Sequence, residues 1–133
     1  MSEENVRLAS DAVAAFNDDG VEALLSYFDP SVEWITPPDW MEDRVLIGHD
    51  GVRTVMAYIG EQLDAFRISL ERTIDLGDDR VVVLAYQYGR IRGTDRELRQ
   101  EVANLVTFHC GKVTRVEAYF SWDEALKAVG LEK

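Results

Sequence analysis

At Arg67 the periodicity of the chain changes, and that switch restricts the available folds more than any other feature of the sequence. Upstream, apolar residues recur every three to four positions; downstream, they alternate with polar ones. Ile68, Leu70, Arg72, Ile74 and Leu76 fall in one alternating register, and Gly77-Asp78-Asp79 reads as a turn. Residues 80–92 form a long strand, Gly93-Thr94-Asp95 a second turn and residues 96–109 another long strand. Cys110-Gly111 then turns into a last strand. There Val116, Ala118 and Phe120 share one face, and Arg115, Glu117 and Tyr119 the other. Ser121 has Glu124 three residues on, the spacing of a capping box, so a short helix running to Gly130 follows and is placed to cover one end of the sheet. Four strands joined by tight turns form an antiparallel meander.

The upstream half supplies the helices. Val6, Ala9, Val13 and Phe16 keep helical spacing over residues 3–18, with Ser2 as cap and Glu3 and Glu4 at the positive end of the dipole. A second helix over residues 21–28 turns Leu24, Leu25 and Phe28 inward and is stopped by Asp29-Pro30. Residues 32–36 read as a strand with Val32 and Trp34 on one face, joining an edge of the sheet. Residues 37–44 have no regular period and form a loop or flap. Asp50 is the expected N-cap of a helix over residues 52–66, buried along Val52, Val55, Met56, Ile59, Leu63 and Phe66. Three helices followed by a meander define an α+β domain, and 133 residues without an internal repeat or linker fit one domain, 1–133.

Charge and cysteine usage exclude several functions. A net charge of −11, from 25 acidic and 14 basic residues, repels nucleic acid and anionic membranes. The single cysteine, Cys110, has no Cys or His cluster around it, so neither a disulfide nor a zinc site is expected. No glycine loop of phosphate-cradling type is present, and no metal or cofactor is expected. An acidic polar N-terminus and the lack of any apolar run of ~20 residues point to a cytoplasmic protein.

The helix pair ending in LLSYFDPSVEW, the helix start GHDGVRTVMAYI and the final GKVTRVEAYFSWDEALKAVGL resemble the SnoaL-like branch of the nuclear transport factor 2-like superfamily. The resemblance implies a cystatin-like cone. A strongly bent, mixed or antiparallel sheet would wrap round about three N-terminal helices, with a short C-terminal helix and a pocket inside. It also implies a homodimer through the outer sheet face. Relatives include ketosteroid isomerase, polyketide cyclases, limonene-epoxide hydrolase, scytalone dehydratase and many binding proteins, so the fold alone names no reaction. The epoxide hydrolase uses an Asp-Arg-Asp set. Matched backward from the final strand, its arginine falls on Ala85 and its aspartates on Gln87 and Ala118. None of the three titrates, which counts against hydrolase and cyclase chemistry of the family type.

Strand faces give the remaining candidates. Val81, Val83, Ala85, Gln87 and Gly89 form the expected inner face of one long strand, and Val102, Asn104, Val106 and Phe108 that of the next. Leu84, Tyr86, Tyr88, Arg90 and Arg92 then face outward, and a single bulge would exchange such faces. Trp34 and Trp40 offer aromatic walls for a flat apolar ligand, although Trp34 can equally be core. Gln87 and Asn104 can hydrogen-bond a ligand, each other or a buried water. With Ala118 and Phe120 they complete the expected pocket. His49 and Asp39 are the candidates for proton transfer; a capping or packing role for His49 and a solvated loop position for Asp39 are the alternatives. Three functions follow: binding of a small hydrophobic or aromatic molecule, favoured by Ala85, Gln87 and Ala118; an isomerase, cyclase or dehydratase acting on a ketone or polyketide-like substrate; or a dimerisation or partner-binding module.

Overall fold

In the computed structural model, which describes residues 2–131, ten elements build a six-stranded sheet curled round helices. Helix α1 spans Ser2–Asp19 and α2 Val21–Leu25; β1 follows at Phe28–Ile35 and β2 at Val45–Ile47. Helix α3 (Gly48–Gln62) leads into the strands β3 (Leu63–Asp75), β4 (Arg80–Ile91), β5 (Glu97–His109) and β6 (Lys112–Tyr119), and α4 (Trp122–Ala128) ends the chain. The strand order is β2-β1-β6-β5-β4-β3, antiparallel throughout except where β1 runs parallel to β6. The α+β cone and the meander are therefore as expected. The side chain of Ser2, expected to cap α1, lies outside the described residues.

The core lies inside the curl. Ala9 and Ala12 of α1, Leu24 and Leu25 of α2, and Val52, Val55 and Ile59 of α3 meet Val32, Val81, Val83, Ala85, Val102, Val106 and Val116 of the sheet. A second, smaller cluster on the outer side joins Val82, Leu84, Ala103 and Leu105 to Ala125 of α4. The alternation of β4 and β5 explains both, since successive side chains of one strand feed opposite clusters.

Bulges produce the bend. Near the start of β3, pairing with β4 slips between Asp64 and Arg67, where Ala65 adopts φ 55°. A Cβ on the facing Gly89 would stand 3.2 Å from Leu63 Cβ and 3.3 Å from Asp64 O, so glycine lets β3 fold closely over β4. A second slip at Glu71 divides the apolar register of β3. Ile68 and Leu70 pair with Gln87 and Ala85 on the inner face, while Ile74 pairs with Val82 and packs outside. One uninterrupted face was expected; the extra residue exchanges the faces midway.

Other expectations need correction. The second helix stops at Leu25, and Phe28, Asp29 and Pro30 belong to β1. Phe28 pairs with Val113, Val113 N donates to Tyr27 O at 2.9 Å, and Pro30 sits where the register slips between Phe28 and Glu33, so its missing N–H removes no regular ladder bond. Helix α3 begins at Gly48, so Asp50 lies in its first turn and is not its cap. The N-cap position is Ile47, without a side-chain cap, and Leu63 and Phe66 are in β3. The edge beyond β1 is taken by β2, which no sequence signal announced. Finally, α4 covers the outer face of the sheet, not its end. Ser121 Oγ accepts from Glu124 N at 3.3 Å, and Trp122 Nε1 donates to the carbonyls of Ala85 (3.0 Å) and Val102 (3.2 Å).

Candidate functional site

Between the helices and the inner sheet face run three cavities that share walls. Counted as space open to the centre of a water molecule, the deepest holds about 70 Å³, the middle one about 30 Å³ and the outermost about 60 Å³. Each has room for at least one water molecule. Trp34, Met56, Ile68 and Asn104 border both the deep and the middle cavity. Trp40, Ile59, Gln87 and Phe120 border both the middle and the outer one.

All six expected pocket residues, Trp34, Trp40, Gln87, Asn104, Ala118 and Phe120, line the middle cavity. Their convergence follows from register. Asn104 stands opposite Ala118 across β5 and β6, Trp34 is beside Val116 across β1 and β6, and Gln87 faces Ile68 across β4 and β3. Trp34 is 8% exposed and tilts against Phe28, ring centroids 6.3 Å apart.

Trp40 is delivered by the loop between β1 and β2, whose neck is closed by backbone and side-chain bonds. Thr36, fully buried, donates its N–H to Arg44 O at 2.8 Å and its hydroxyl to Asp43 O at 3.1 Å; Arg44 Nε returns a bond to Thr36 O at 3.0 Å. The Trp40 ring is gripped edge-to-face by Tyr58 at 5.0 Å and Phe120 at 5.4 Å, and Tyr58 Oη donates to Trp40 O at 2.9 Å. Trp40 thus forms the partition between inner and outer space.

Neither candidate for proton transfer reaches these walls. His49 Nε2 is 3.0 Å from Phe28 O, a partner that can only accept, so this nitrogen carries the proton and the ring ties α3 to β1. Asp39 is exposed at the tip of the loop with φ 63°. No residue lining the middle cavity carries a side chain that titrates near neutral pH, and the positions where the resemblance places catalytic groups hold Ala85, Gln87 and Ala118. General acid–base chemistry requires an exchangeable proton within hydrogen-bond reach of the substrate, and these walls supply none. Among the described residues no three His, Cys, Asp or Glu side chains are grouped to hold a metal ion.

Two polar atoms in the wall are unusual. Trp34 Nε1 and Asn104 Oδ1 are buried and have no hydrogen-bond partner among the described residues. The expected alternative, that Gln87 and Asn104 satisfy each other, is not seen among the described residues. Sequence reasoning also missed Gln100 and Gln62 at the outer cavity, and Met56 and Ile68 as shared wall. Gln100 was legible, since it alternates with Val102 and Asn104 on β5; Gln62, at the end of α3, carried no signal.

The expected outer face is present and partly occupied. Val82, Leu84, Ala103 and Leu105 are buried with Ala125 of α4, and the Trp122 ring lies tilted against Tyr86 with centroids 5.0 Å apart. Arg99 lies 3.8 Å over the Tyr86 ring and Arg67 4.3 Å over Tyr88. Among the described residues no helix is long and apolar enough to cross a membrane.

Solved structures share this architecture. TerC, co-crystallised with polyporic acid, is 27% identical, with a TM-score of 0.76 over 96% of this chain and 97% of its own. A nuclear transport factor 2-like protein of unknown function from Burkholderia pseudomallei is 20% identical, with a TM-score of 0.78 over 93% of this chain and 95% of its own. A hypothetical protein of ketosteroid isomerase-like fold from Catenulispora acidiphila, in complex with trimethylamine, is 18% identical, with a TM-score of 0.72 over 93% and 92%. No curated protein shows significant similarity to the chain. Residues 9–116, most of the chain, match the SnoaL-like domain, so this chain belongs to that family, and its fold is that of nuclear transport factor 2-like proteins.

Proposed function

We propose that the protein binds a small apolar or aromatic molecule inside the cone, without acid–base chemistry from the cavity walls. The observation that carries the reading is the lining of the middle cavity: apolar and aromatic side chains with two neutral amides, Gln87 and Asn104. Such a composition suits apolar ligands oriented by a few polar contacts. A ring-sized ligand would enter the middle cavity past Trp40 or the flexible Met56 side chain, which both border it. The co-crystal of TerC with polyporic acid supports a small-molecule role for this cone and supplies a first probe. Titration with polyporic acid and neutral aromatic compounds, followed by tryptophan fluorescence and calorimetry, is expected to give saturable one-site binding. Absence of saturable binding by every compound overturns the proposal. An isomerase, cyclase or dehydratase would need a titratable group within reach of the ligand, and the lining offers none. A homodimer through the outer sheet face would have to form on what α4 leaves open, around Tyr86, Tyr88 and their stacked arginines. Sedimentation equilibrium decides between that dimer and a monomer.

A further inference from the structure

Beside the cone, a groove runs between the end of α1, α2, α3 and the start of β3. Counted as space open to the centre of a water molecule, it holds about 350 Å³, within the range of small-molecule pockets. Arg53 and Ala57 in its lining are exposed, so the groove opens to solvent. Arg53 is the one charged side chain among the described lining residues, and it is committed to Glu22 and Asp50. The back wall is shared with the cone. Phe16 also borders the deep cavity, Ile59 and Phe66 also border the middle one, and Met56 alone borders the groove and both cavities. Phe16 and Phe66 meet edge-to-face, with centroids 5.7 Å apart, while Met56 is half-buried and carries an unbranched, flexible side chain.

Gly60 points to the same groove independently. It stands inside α3, where only proline is a poorer helix former. Neither backbone nor packing requires a glycine there: its φ is not positive, and a Cβ would meet no atom within 4 Å. Because Gly60 lines the groove, the missing side chain leaves that space open. We propose that this groove is the vestibule of the cone, taking up uncharged, ring-sized apolar molecules, and that Met56 is the gate through which they pass. The proposal rests on the reading of the cone as a small-molecule site and specifies how that site is reached. The other way in, past Trp40, breaks the edge-to-face contacts of its ring with Tyr58 and Phe120. Swinging Met56 aside needs a change of rotamer and breaks no hydrogen bond. An ion crossing between Phe16, Met56, Ile59 and Phe66 would lose its hydration without gaining a partner, so the gate selects neutral molecules.

Gly60→Leu fills the vestibule and is the variant to test. Its side chain enters open space on a helix that favours leucine over glycine, so its Tm should be no lower than that of the native protein. The probe is fluorobenzene, with exchange rates and Kd read by ¹⁹F NMR. The indole signal of ¹⁵N-labelled Trp34, in the wall of the deep and middle cavities, marks its arrival in the cone. Entry and exit are each expected to slow about tenfold while Kd changes by less than about twofold, because blocking a passage raises the barrier and leaves the bound state alone. Met56→Ala, which shortens the gate, should speed exchange. Native rates and native Kd in Gly60→Leu overturn the vestibule and preserve the apolar-binder reading. Weaker binding in Gly60→Leu, with the Trp34 signal unmoved in the native protein, also overturns it, since the probe would then rest in the groove. No saturable binding of fluorobenzene or fluoronaphthalene by the native protein overturns both readings. Gly60→Leu decides the matter even if Met56→Ala fails to fold.

Discussion

Replacing Trp40 by alanine tests whether the loop between β1 and β2 is a docked partition. The ring makes two edge-to-face contacts, with Tyr58 at 5.0 Å and Phe120 at 5.4 Å. Each such pair contributes about 1 kcal/mol beyond its buried area. Trp40 is only partly buried, and the neck bonds between Thr36 and Arg44 do not depend on its side chain, so the loop stays tethered in the variant. Adding the lost apolar burial places the total at about 3 kcal/mol, the low end of the range for tryptophan truncation. For a chain of 133 residues that corresponds to a fall in Tm of about 10 °C. Urea and thermal unfolding measure it, and fluorescence of a hydrophobic dye measures the accompanying exposure of Ile59, Gln87 and Phe120, which now stand behind Trp40. A fall of less than about 2 °C with unchanged dye binding would refute the docked partition, because both ring contacts would then be energetically empty.

Gly51→Ala should destabilise the protein by about 1–3 kcal/mol in urea unfolding, although alanine is the better helix former. Its Cβ would stand 2.8 Å from Leu46 C and 3.1 Å from Leu46 Cβ, forcing α3 off β2; an alanine variant as stable as the native protein would disprove that seating. Arg53 joins α2 to α3 by bonding Glu22 at 2.7 and 2.9 Å and Asp50 at 2.6 Å, and its hydrogen bond to Glu22 holds that carboxyl below its ordinary 4.5. A depressed acid pKa stabilises the fold above the unfolded pKa and loses that effect as the pH falls through the folded one. Arg53→Met is therefore expected to lower Tm by a small margin at pH 7, since the groups are exposed and screened, and by progressively less below pH 4.5. A deficit that persists unchanged to pH 2 would assign the effect to packing.

The proposed binding role rests on which side chains occupy the walls. Where the resemblance places catalytic side chains, this chain carries Ala85, Gln87 and Ala118, and the two nearest candidates, His49 and Asp39, are held outside. A domain can keep the family's container and use it for recognition, because the container depends on apolar alternation and bulges while the reaction depends on a few titratable groups.

Local periodicity alone determined most of the fold and the make-up of the pocket. Alternation along β4, β5 and β6 places Gln87, Asn104, Ala118 and Phe120 on one face, since side-chain direction in a strand is set residue by residue. The capping position of Ser121 and the helical stripes of α1 and α3 were legible for the same reason. Tertiary structure decided the rest. Three residues, Val45–Ile47, show no periodicity of their own and become a strand only because β1 lies alongside. Pro30 looks like a helix stop until the slipped register with β6 gives it a place in β1. The bulge at Glu71 exchanges faces within an apparently unbroken pattern, and α4 lies on the outer face because Trp122 finds the carbonyls of Ala85 and Val102 there. The open valences of Trp34 and Asn104 were equally invisible. Whether a buried polar atom has a partner depends on groups brought close from distant parts of the chain, and no window of sequence contains them all.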